Sequence, residues 1–350
     1  MDPAGVFATS FARDQAFIRT GKQAFCLAIF VFALLVLPEL VGPRLVAVVT
    51  AMMITAVVAV GLQICTGYAG QVNLGQAAFM GAGAYATAVA GGTYGLPFWV
   101  AIPLGGCAAA AFGFVFGLSA VRIKGFYLVL TTIAAQSIFH FLVLNLPQSW
   151  LGGSNGMALP PAELFGFTFT SDRSIYYLCL IVTGLMVAGA FGIVRSRHGR
   201  AFLAVRDDDV ASGMMGVDVV RTKAMAFLVG AFYAGIGGGL WAYYLRFVAV
   251  DQFTLFHSIW LIAMIIVGGM GSITGALVGV VVIITIRETF ISLGPTFVQI
   301  SPAFGGDVVF AALNVFLGGI IAAFLIFEPR GLMHRWTSLK RSYRLWPFPY

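Results

Sequence analysis

Residues Gly67 to Tyr85 read GYAGQVNLGQAAFMGAGAY, and the stretch lies between two long apolar runs. It holds five glycines and the amides Gln71, Asn73 and Gln76, but no charge. Lipid cannot satisfy an exposed peptide group, so backbone interrupted here must be buried in protein or face a water-filled cavity. The rest of the chain sets the context. Of 350 residues, 60% are hydrophobic and 9% charged, against roughly 25% charged in a soluble domain. The mean hydropathy is +0.96, and runs of ~18 or more apolar residues, enough to cross a bilayer, recur along the length. The sequence predicts an all-α polytopic membrane protein with Gly-rich broken segments. No polar insertion much exceeds ~30 residues, below the size of a separate soluble domain.

Ten spans are expected, near 24–41, 45–65, 70–92, 97–121, 125–146, 175–194, 224–245, 253–270, 272–290 and 308–327. The basic N-terminal segment 1–23 precedes an uncleaved first span, because no small-residue cleavage site follows it. The membrane domain covers 24–327, with an outer loop at 147–174 and a loop at 195–223, and a basic tail runs from 328 to 350. Sixteen of the twenty Lys and Arg fall on one side in this arrangement, leaving Arg44, Arg173, Arg246 and Arg287 on the other. Cations stay cytoplasmic during insertion, so both termini and the 195–223 loop are predicted to be cytoplasmic. The net charge of +7 is thus a topology signal and not a nucleic-acid footprint. Gly268-Gly269-Met270-Gly271-Ser272 cuts the run 253–290, giving two short spans or a re-entrant hairpin. Five spans on each side of the outer loop suggest a 5+5 inverted repeat, with solute passing where the halves meet.

A helix drawn from Asn73 onward places Asn73, Gln76, Ala77, Met80, Gly81, Ala84 and Ala88 on one small, partly polar face. Two readings fit that face. One is a close helix contact of the small-xxx-small kind with amides bonded across it. The other is a broken helix lining a solute pathway, whose free N–H groups meet a carboxylate and whose carbonyls meet an ammonium. The second reading makes Gly67, Gly70, Gln71, Asn73, Gly75, Gln76 and Gly81, with Gly268, Gly269 and Gly271, the pathway residues.

Segment 195–223 reads RSRHGRAFLAVRDDDVASGMMGVDVVRTK. At about 29 residues it is long against a helix connection of roughly 2–8. Ala201–Val205 and Val210–Val217 are expected to form two short amphipathic helices around Arg206, Asp207, Asp208 and Asp209, a form suited to docking a soluble partner. Chemistry-bearing residues are sparse. Cys26, Cys65, Cys107 and Cys179 lie singly in or beside apolar runs, without metal-ligand spacing. His140, His198, His257 and His334 are far apart, with no H-E-x-x-H or G-x-S-x-G motif, so a membrane enzyme is disfavoured. The acidic residues sit in loops or at span ends, which leaves His140 as the only relay candidate for a proton-coupled carrier. No G-x-x-x-x-G-K-[ST] loop is present, so ATP would have to be hydrolysed by a separate subunit.

Four motifs in order, GYAGQVNLGQAAF, GRAFLAVRDDDVASGMMGVDVVRTKAMAF, GGMGSITGALVG and FEPRGL, resemble the M-type permease subunit of branched-chain amino-acid ABC importers over about residues 45 to 332. The resemblance implies an assembly of two permease subunits, expected to be a heterodimer, with two cytoplasmic ATP-binding subunits and a periplasmic binding protein. The complex would sit in a bacterial inner membrane, with no cofactor on this chain and ATP used by the partners. It also implies that loop 195–223 seats in the ATPase through Arg206, Asp207, Asp208, Asp209, Ala211, Ser212 and Gly216. The importer signature E-A-A-x-x-x-G is degenerate here, reading Val210-Ala211-Ser212 before Gly216 with the acid displaced to Asp209. Related permeases carry urea or short amides, and that cargo, like ion coupling, stands as an alternative.

Overall fold

The structure, a computed structural model, describes residues 21–122, 125–164, 167–300, 306–328 and 331–345. It is helical almost throughout. Helix α1 is Gly21–Leu40, α2 Pro43–Leu62, α3 Gln76–Ala88, α4 Phe98–Arg122 and α5 Phe126–Asn145. The outer loop carries the short α6, Gln148–Leu151, and α7 is Asp172–Arg195. Then come α8 Arg197–Asp207, α9 Asp209–Met214, α10 Val219–Leu245, α11 Leu255–Gly268, α12 Ile273–Ile300, α13 Gly306–Phe327 and α14 Leu332–Leu345. Two minimal strand pairs complete the fold: Met157–Ala158 of loop 147–174 with Phe247–Val248, which follows α10, and Glu163–Leu164 with Phe167–Thr168.

Among the described residues, seven helical segments are long and apolar enough to cross a membrane: 43–68, 98–119, 126–145, 172–195, 219–245, 250–268 and 273–293. Seven of the expected spans are thus shown, and the count of ten is not. The apolar part of α1 is the shorter Ala24–Leu40. The span expected over 70–92 starts as non-helical chain and becomes helical only at Gln76, ending in a π-turn at Val89–Thr93. Helix α13 occupies the last expected position, with many of its side chains outside the described residues, and no inverted repeat is shown. The N-terminal segment 1–20 and the tail end 346–350 lie outside the described residues.

Helix α10 is the hub, packed by α2, α3 and α4. Its sequence explains why. Asp218 caps its start by accepting from the Arg221 N–H at 3.0 Å. Small residues then line its length, and Gly230, Gly235, Gly237, Gly238 and Gly239 are all buried. A Cβ on Gly238 would fall on the Met80 carbonyl oxygen, and one on Gly83 would fall on Gly235. The α3–α10 crossing therefore depends on bare backbone at these two points. Helix α3 is almost wholly enclosed: Phe79 and Tyr85 lie in the core, and only Ala82 and Ala86 are half-buried. Helices α11 and α12 pack together as a hairpin around the turn at 269–272 and against α2. The outward faces of α1 and α7 show Phe25, Phe30, Phe32, Ile181 and Leu185, as lipid contact requires.

Candidate functional site

Helix α2 ends in a π-turn, Gln63–Tyr68, a distortion that collects at functional positions. The chain then runs without helical structure from Ala69 to Gly75. It does not leave the bundle. Gln76 donates through Nε2 to the Val58 and Gly230 carbonyls, each at 3.2 Å. Val58 lies ten residues before Tyr68, so segment 69–75 climbs about 15 Å back into the bundle, at 1.5 Å per helical residue. Irregular backbone at this depth needs partners, and it has them. The Gln71 N–H donates to the Cys65 carbonyl at 3.1 Å, and the Thr66 hydroxyl donates to the Gln71 carbonyl at 3.0 Å. The Leu74 N–H reaches Thr132 Oγ1 at 3.0 Å, the Gly75 N–H reaches Asn73 Oδ1 at 2.9 Å, and the Ala77 N–H reaches Ser258 Oγ at 2.9 Å. Asn73 Nδ2 donates to Gln76 Oε1 at 2.8 Å. The N–H groups of Gln71, Leu74, Gly75 and Ala77 are thus taken by the protein's own acceptors. Asn73 and Gly75 stand before the helix that the sequence drew through them.

The second glycine break faces the first. Gln63 Nε2 donates to both the Gly269 and Ser272 carbonyls at 3.1 Å. A Cβ on Gly67 would sit 2.8 Å from the Gly271 nitrogen. Gly331, with a left-handed φ of 75°, packs its backbone on Gly269. Arg206, at the end of α8, closes the cluster. Its Nη1 donates to the Gly67 carbonyl at 2.9 Å, and its Nε and Nη2 hold Asp207 Oδ1 at 3.1 and 3.0 Å. Its stem lies on Gly70, whose φ of 69° leaves no room for a side chain there.

Two open cavities flank Arg206. One, of about 670 Å³, is lined by Thr66, Gly67, Gly70, Gly269, Ser272 and His334, among others. The other, of about 620 Å³, is lined by Gly70, Gln71, Asp207, Asp208, Asp209 and Lys223, among others. Gly67, Gly70, Gln71 and Gly269 therefore border space. Asn73, Gly75, Gln76, Gly81, Gly268 and Gly271 line neither cavity, and Gly81 is packed against Phe139 and Phe253.

The 195–223 loop folds as expected into two short helices. Asp208 Oδ1 caps α9 by accepting from the Val210 and Ala211 N–H groups at 2.9 and 3.0 Å. The Ser212 hydroxyl is turned inward and donates to the Asp208 carbonyl. Asp209 is tied to the nearly buried Lys223 at 3.1 Å, which fixes the loop to the base of α10. Outward lie Val210, Ala211, Met214, Met215 and Gly216, a compact apolar patch with Gly216 at a φ of 84°. Gln63, Thr132, Ser258 and Gly331 were missed from sequence. A lone Gln inside the run Val57–Ile64 was the one available signal.

Glycine breaks packed on one another within an apolar helical bundle, joined to a charged, capped loop, are the features of a membrane permease. The chain belongs to the family of permease components of branched-chain amino-acid transport systems, whose model matches residues 44–326. It is similar to the high-affinity branched-chain amino-acid permease protein LivM of Salmonella typhimurium, 32% identical over 311 residues, covering 82% of this chain and 69% of the relative. It is also similar to BraD of Pseudomonas aeruginosa, 26% identical over 80% of this chain and 91% of that one. LivH of Salmonella typhimurium is 26% identical over 43% of this chain and 50% of its own length. No solved structure matches. The chain is thus a multi-pass transport subunit of ABC type and not a catalyst.

Proposed function

We propose that this subunit passes branched-chain amino acids inward across a bacterial inner membrane, with the glycine cluster as its inner gate and loop 195–223 as the handle. The partners are a LivH-like second permease subunit, two ATP-binding subunits that use the ATP, and a binding protein. LivM and LivH relatives from one organism support a heterodimer. Both termini and the loop are assigned to the cytoplasm by the distribution of Lys and Arg. Ten crossings, counting α1, the 69–93 segment and α13, keep the termini on one side, and a 5+5 inverted repeat remains part of this reading.

One observation carries the proposal: Arg206, at the tip of α8, is bonded to the first glycine break at Gly67, and its Nη1 stands 3.1 Å from where a Cβ on Gly271 of the second would sit. A pull on the loop therefore acts on the first break, which Gln63 in turn ties to the Gly269 and Ser272 carbonyls of the second. The exposed patch Val210, Met214 and Met215 offers the apolar surface on which an ATPase would seat, with Asp207 and Asp208 at its rim. Pathway residues then fall into two groups. Gly67, Gly70, Gln71 and Gly269 border the inner opening. Asn73, Gly75, Gln76, Gly81, Gly268 and Gly271 keep the neighbouring backbones close.

The test is reconstitution of the complete complex in liposomes with labelled leucine. Uptake that requires ATP and the binding protein is expected. Uptake that persists without ATP, or follows an ion gradient, would replace this reading with a secondary carrier, and urea uptake without leucine uptake would change the cargo.

A further inference from the structure

Away from the inner gate, three buried side-chain oxygens have no hydrogen-bond partner: Tyr85 Oη, Gln136 Oε1 and Gln252 Oε1. They come from three segments that meet at one place. Tyr85 is on α3, Gln136 is at the middle of α5, and Gln252 ends the short turn Val250–Gln252 before α11. The Phe139 ring stands edge-on to both Tyr85, at 6.1 Å between centroids, and Phe253, at 6.3 Å. Gln136 spends its Nε2 on the Phe253 carbonyl, which leaves its Oε1 as an acceptor by elimination. Tyr85 and Gln136 are only 2% and 3% exposed. Gln136 is about 15 Å along α5 from either end, counted at 1.5 Å per residue, and Gln252 stands at the start of the 250–268 span that packs beside it.

Buried polar atoms left unpaired inside a membrane protein are costly, and each calls for a cause. Two amide oxygens present acceptors, the Tyr85 phenol an O–H that can accept or donate, and Asp251 puts a carboxylate on the turn that carries Gln252. The nearby cation Arg246 is turned away, donating to the Phe169 and Thr170 carbonyls. His140 lies beside Gln136 through Nδ1. A carboxylate finds no charged donor in this group, whereas an ammonium finds several acceptors.

We infer that Tyr85, Gln136 and Gln252 form a station inside the bundle that takes the ammonium group of the passing solute, with the Phe139–Phe253 pair beside its apolar part. This rests on the cargo proposed above and adds the group by which the permease itself recognises it.

The test uses the reconstituted complex and labelled leucine, with Tyr85→Phe, Gln252→Leu and Gln136→Leu. A hydrogen bond to a charged group corresponds to about a tenfold effect or more, so leucine uptake should fall about tenfold or more in each variant. Thermal stability should hold or rise for Tyr85→Phe and Gln252→Leu, because each removes an unpaired buried oxygen, and stimulation of ATP hydrolysis by the binding protein should stay within twofold. Uptake within twofold of wild type in those two variants overturns the inference, as does a loss of uptake that tracks loss of folding. Wild-type uptake of leucine reports on the cargo assignment alone, and the ratio of variant to wild type reports on this station.

Discussion

Removing the Arg206 side chain should loosen the inner seal by a calculable amount. Its Nη1 bond to the Gly67 carbonyl is 2.9 Å long and charge-assisted, a class that contributes about 1.5–3 kcal/mol. The side chain is 36% exposed, and screening by water reduces the figure to about 1–1.5 kcal/mol. At about 1.4 kcal/mol per factor of ten, Arg206→Ala should raise the open population roughly five- to tenfold. A reporter is already in place. Cys65 is fully buried in the π-turn beside Gly67, with Sγ 3.7 Å from the Gln71 carbonyl. With Cys26, Cys107 and Cys179 replaced by Ser, Cys65 is the only thiol left. Its rate of modification by a charged methanethiosulfonate in inside-out vesicles follows the open population when reclosing is fast. That rate should rise five- to tenfold, while ATP hydrolysis continues with less leucine moved per ATP. Arg206→Lys should fall between the two, since a single ammonium cannot hold both Asp207 and the Gly67 carbonyl in the guanidinium's geometry. An unchanged Cys65 rate in Arg206→Ala would refute the latch.

Two further outcomes follow from the same contacts. Asp209→Ala leaves the 5%-exposed Lys223 side chain without its carboxylate. Loss of about 2–4 kcal/mol is expected, read as a lower melting temperature, with most of it regained when Lys223→Met is added, because replacing both members of a buried pair is tolerated. Gly238→Ala drives a methyl group onto the Met80 carbonyl and should cost at least about 1–3 kcal/mol through overpacking, seen as reduced yield of folded protein. The same change at Gly184, where a Cβ meets nothing within 4 Å, should be silent.

The chain's order of apolar runs, the position of its one long charged loop and its four signature motifs were legible because hydropathy and charge are local properties. The helices of loop 195–223 were legible too, since Asp208 and Asp218 act as caps within three residues of themselves. What the sequence did not contain was the pairing. Arg206 meets Gly67 across 139 residues, and Gln63 meets Gly269 across 206. The amides Asn73 and Gln76 looked available because their acceptors come from their own turn and from α2 and α10. Only packing decides which carbonyl arrives. Glycine announces that backbone will bend or approach closely, but a residue without a side chain carries no mark of its neighbour. Only the fold shows that Gln63 of the first break bonds the carbonyls of the second and that Arg206 of α8 bonds Gly67.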